Sequence, residues 1–67
     1  MKRFFFGLEG KQNISDPGGL LLHSELQALR AAQRLAAELA NYRPDLRGNT
    51  SVVVTAKDQR DYYYVLV

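Results

Sequence analysis

The chain has no cysteine, which excludes disulfides and any thiolate-held zinc. It has one histidine, His23, so a metal cluster would have to be built almost wholly from carboxylates. No apolar stretch approaches the roughly 18 residues of a membrane span. Phe4-Phe5-Phe6 after Lys2-Arg3 has the opening of a secretory signal. Glu9, Gly10 and Lys11 interrupt it before an apolar segment of about 7–15 residues accumulates. Charge of one sign is also missing. Nine Lys and Arg against seven Asp and Glu leave a formal charge of +2, too mild to imply a polyanionic partner by itself. These absences lead us to expect a cytoplasmic protein.

With 67 residues the chain is read as a single domain, 1–67, with one core. A chain this short buries only about 60% of its unfolded surface and has a thin stability margin. With no disulfide to staple it, self-association is an economical source of extra burial, so a homodimer is expected.

What the sequence does have is two aromatic runs. Of seven aromatic residues, six lie in Phe4-Phe5-Phe6 and Tyr62-Tyr63-Tyr64, the latter followed by Val65-Leu66-Val67. Both runs read as strands. Over residues 3–9, Phe4, Phe6 and Leu8 alternate with Arg3, Phe5, Gly7 and Glu9. Gly10-Lys11 is a plausible reversal, and a short return strand is expected around residues 12–15, where Ile14 is the one strong apolar residue. Asp16-Pro17-Gly18-Gly19 then stops any strand.

Leu20-Leu21-Leu22 leads into a helix that begins after Ser24. Ser24 with Gln27 three residues on is a capping-box pattern, and Glu25 suits the positive end of the helix dipole. Glu25–Tyr42 contains no glycine, proline or β-branched residue and is rich in alanine. Ala28, Leu29, Ala31, Ala32, Leu35, Ala36, Leu39 and Tyr42 share one face, opposite Gln27, Arg30, Gln33, Arg34, Glu38 and Asn41. Arg34 and Glu38 are spaced for an ion pair. Pro44 ends the helix. Alanines on the apolar face let the helix lie close against a sheet.

Residues 46–49 read as loop and Thr50–Ala56 as a strand, with Val52 and Val54 on one face and Val53 and Thr55 on the other. A charged turn over residues 57–61 and a final strand over 62–67 complete the chain. The fold class is α+β, in the order β-β-α-β-β: a four-stranded antiparallel sheet with one helix packed on one face. The other face is left to water or to a partner.

Little in this pattern carries catalytic chemistry. His23 and Ser24 are adjacent, which does not make a nucleophile–base pair, and helix capping already explains the serine. Asp16, beside a proline and two glycines, could hold a ligand cation, but an Asx-turn is its ordinary role. Gly18-Gly19 lacks the surroundings of a phosphate loop. No enzyme activity, cofactor or metal is expected. The aromatic strands are more suggestive, because one face of each must remain uncovered by the helix. The candidate interaction face is Phe5 and Tyr63 with Arg3, Lys57 and Arg60. Whichever of Phe4/Phe6 and Phe5 packs on the helix, the other set is the exposed one, and the sequence leaves the choice open. The leading reading is protein interaction or homodimerisation. A nucleic-acid-binding module, stacking bases on the aromatics with the basic residues meeting phosphate, is the alternative.

The start Met1-Lys2-Arg3-Phe4-Phe5-Phe6, the segment Asp16-Pro17-Gly18-Gly19-Leu20-Leu21-Leu22, the alanine-rich helix and the two closing strands together resemble a family of very short bacterial proteins. That family is common in rhizobia and related alphaproteobacteria and has no assigned activity. The resemblance covers nearly the whole chain and implies a free-standing α+β domain in a bacterial cytoplasm. Its members usually carry a glycine shortly after the aspartate of the last turn, where this chain has Asp58-Gln59-Arg60-Asp61. The resemblance implies no catalytic residue.

Overall fold

The computed structural model describes residues 1–57 and 63–67. Four strands, β1 (Lys2–Gly10), β2 (Leu20–Leu22), β3 (Thr50–Ala56) and β4 (Tyr63–Leu66), and one helix, α1 (Glu25–Tyr42), follow the expected β-β-α-β-β order. The strands form one antiparallel sheet in the order β2-β1-β3-β4. The central seam is long, running from Phe4 opposite Ala56 to Gly10 opposite Thr50.

The second strand is not where the sequence suggested. Ile14 makes a single bridge with Leu8, exchanging both backbone hydrogen bonds at 2.8 and 3.0 Å, and no strand forms over residues 12–15. Leu20–Leu22 pairs with Lys2, Arg3 and Phe4 instead. An isolated Ile14 offers little to bury, whereas the three leucines add an apolar edge beside Phe4.

Cross-strand partners share a face, so the register sorts the side chains. Phe4, Phe6 and Leu8 lie beside Ala56, Val54 and Val52 on the helix side. There Phe4, Val52, Val54 and Ala56 form the core with Ala28, Ala32 and Ala36 of α1. The three alanines bring the helix axis close to the sheet, as their spacing predicts. Leu35 and Leu39 pack at the margin of this core. Ser24 is the N-cap, with Oγ accepting from the Gln27 amide at 3.2 Å. Gln27 Oε1 in turn accepts from the His23 amide at 2.8 Å. Two details of the expected helix differ. Tyr42, in the last turn, is 83% exposed, while Leu46, expected in a loop, is buried at the end of a short 3-10 turn over Pro44–Leu46. Arg34 and Glu38 do not form an ion pair; Asp45 takes Arg43 and Lys11 instead.

Candidate interaction face

The face of the sheet away from α1 is built by the alternate residues of the same strands. β1 contributes Arg3, Phe5, Gly7 and Glu9, and β3 contributes Ser51, Val53 and Thr55. Leu21, opposite Arg3, and Tyr64 and Leu66, opposite Val53 and Ser51, extend it to both edges. Leu21, Tyr64 and Leu66 are 49%, 59% and 62% exposed, and Phe5 is half-buried.

A hollow of about 440 Å³ opens on this face. Its floor is Gly7 and Val53, its ends are Phe5 and Glu9, and the loop through Ile14 forms a side. Gly7 leaves the floor of the hollow without a side chain, and the loop closes in on it from one edge: a Cβ there would lie 2.7 Å from the Ile14 carbonyl oxygen, so the open part of the hollow lies toward Val53 and Thr55.

Asp16 anchors that loop. Its Oδ1 accepts from the amides of Gly18 and Gly19 at 3.1 and 3.0 Å, the expected Asx-turn geometry. Its Oδ2 accepts from the Phe6 amide at 3.1 Å, a bond to the strand edge that the sequence did not announce. The amides of Gly19 and then Phe6, with Gly18 adding to them, hold the Asp16 carboxyl below its ordinary value of 3.8. With its oxygens engaged this way, the carboxylate serves the loop, and a cation-binding role is not needed to explain it.

The residues singled out in the sequence divide between the two faces. Phe5 and Arg3 are neighbours on the open face: a Cβ on Gly19 would meet Arg3 Cγ at 2.9 Å and Phe5 Cδ1 at 3.1 Å. Lys57 follows β3 at the same end of the sheet and is exposed. Tyr63 is opposite Val54, which places it on the helix side, and its hydroxyl donates to Glu25 Oε2 at 2.9 Å. Arg60 and Tyr62 lie outside the described residues. Tyr64, Leu66 and Leu21 on the open face were not singled out; the alternation of β4 separates Tyr64 and Leu66 from Tyr63, but only the register assigns a side. His23 is exposed beside the helix cap, and among the described residues no three His, Asp or Glu side chains come together as a metal site.

No family model, curated protein or solved structure matches this chain.

Proposed function

We propose that this is a small non-enzymatic domain that acts through protein–protein contact, foremost its own dimerisation, using the sheet face away from the helix. The observation that carries the reading is the asymmetry of the sheet. One face is filled by the alanines of α1, while the other carries half-buried Phe5 and exposed Leu21, Tyr64 and Leu66 around buried Val53, bordered by the loop through Ile14 and Gly19, with no strand or helix of the described chain laid across it. An apolar patch rimmed by charge, here Arg3, Glu9 and Lys57, is the usual composition of an interaction surface. A short domain without disulfides gains stability directly from a second copy. Light scattering across protein concentration, at low and high salt, tests it. A concentration-dependent dimer that survives high salt is expected, since apolar burial is not weakened by screening. A monomer at every concentration would refute it.

The alternative, a single-stranded nucleic-acid platform, draws support from Arg3 and Lys57 at the Phe5 end of the same face. Glu9 on that face opposes it, because a carboxylate repels the phosphate backbone. Binding of a labelled oligonucleotide that falls steeply with salt would favour this second reading.

A further inference from the structure

The open-face row of β1 has an order: Arg3, Phe5, Gly7, Glu9. A cation stands at one end and a carboxylate at the other, with a ring and a missing side chain between them. Such a row is complementary to itself in reverse. A two-fold axis lying between two such sheets, perpendicular to the strands and passing over Phe6, sets position 3 against position 9 and position 5 against position 7. A two-fold interface requires this kind of self-complementarity.

The geometry points to a face-to-face homodimer in which Phe5 of each copy seats in the hollow over Gly7 of the other, and Arg3 of each copy pairs with Glu9 of the other. The inference rests on the self-association reading above and adds its register. Stacked sheets lie about 10 Å apart, which leaves room for a large side chain only where a small one stands opposite. Phe5 against a second Phe5 would collide, whereas Phe5 against Gly7 enters the hollow on its open side, where Val53 and Thr55 also line it. The charges agree with the same register. Glu9 makes no ion pair with any described residue. Arg3 gives one guanidinium N–H to the Gly18 carbonyl at 2.6 Å and has others to donate. Lys57, at the Arg3 end, adds a second cation one strand away from the same carboxylate. Ser51, Val53 and Thr55 bring no charge to oppose the match.

Charge reversal tests the register apart from dimerisation itself. Arg3→Glu gives a chain with glutamate at both positions, and Glu9→Arg gives one with arginine at both. Each alone should dimerise at least about 10-fold more weakly than wild type, because like charges then face each other. Mixed in equal amounts, the two should form a heterodimer with wild-type affinity, read by native mass spectrometry. The doubly swapped chain, R3E/E9R, should recover the homodimer. A wild-type dimer whose affinity shifts less than about threefold in both single variants, with no preference for the heterodimer, overturns the register and leaves self-association standing. A monomeric wild type removes both. Circular dichroism checks folding. If the reversed chains do not fold, Glu9→Gln decides: weaker dimerisation than wild type at low salt supports the pairing, and unchanged dimerisation overturns it.

Discussion

Asp16 reaches the backbone of Phe6: its Oδ2 accepts the amide hydrogen there at 3.1 Å, on the edge of β1. β2 covers only the first part of that edge, and the Ile14–Leu8 bridge covers a point further on. The carboxylate fills the gap between them while also closing its own turn through Gly18 and Gly19. Replacing it with alanine strips an acceptor from three amides. Asp16→Ala should cost about 0.5–2 kcal/mol in urea unfolding, since the Gly18 amide is exposed and those of Phe6 and Gly19 only part-buried, so water recovers some of the loss. Asp16→Asn, which keeps one oxygen, should cost less.

The same carboxylate makes stability sensitive to acid. Its pKa in the folded chain lies below the ordinary 3.8, so the stabilisation is complete above that value and is lost as pH falls through the folded one. Asp45 acts in the same direction, chiefly through its hydrogen bond from Arg43. Thermal unfolding of wild type and Asp16→Asn, followed downward from pH 5, should show the wild type losing stability more steeply. Parallel curves would remove Asp16 from the account.

Gly10 has φ of +131°, and a side chain there would overlap the Asn49 carbonyl oxygen where β1 meets β3. Gly10→Ala should therefore destabilise by about 1–3 kcal/mol through strain and separation of the strands. Gly18 has open space around its Cα and an ordinary φ, so Gly18→Ala should be nearly neutral. Equal losses at the two positions would contradict this.

Ala32 is fully buried between α1 and the sheet. A larger side chain there must push the helix off Phe4, Val52 and Val54. Ala32→Leu should cost about 1–3 kcal/mol despite a good helix propensity, whereas the same change at exposed Ala37 should be almost silent. Denaturant midpoints of the two variants provide the comparison.

The parts of the fold legible in the sequence were those set by local chemistry. α1 from Glu25 to Tyr42 and β3 from Thr50 to Ala56 follow from propensity, capping and alternation. β2 was hidden because three consecutive leucines have no period, so nothing local separates a strand from a helix entrance. Only pairing with Lys2, Arg3 and Phe4 resolves it. The candidate face was half legible for a related reason. Alternation split the tyrosines into two sets, but the side each set occupies is decided by register against Val53 and Val54. Tyr63 went to the helix side and Tyr64 to the open one.

The strand order has a kinetic consequence. The longest seam of the sheet joins β1 to β3, residues from opposite ends of the chain, and the helix lies between them in sequence. Local connections can form the β1–β2 and β3–β4 seams but cannot complete the sheet, because β1 must find a strand on the far side of the helix before most of its backbone bonds can close. Helix formation takes about a microsecond or less, so α1 is available early as a surface on which the two distant strands can meet. During synthesis, β1 therefore emerges long before its main partner, and its phenylalanines remain uncovered until residues 50–56 have been made. That interval is when aggregation or chaperone capture competes most strongly with folding.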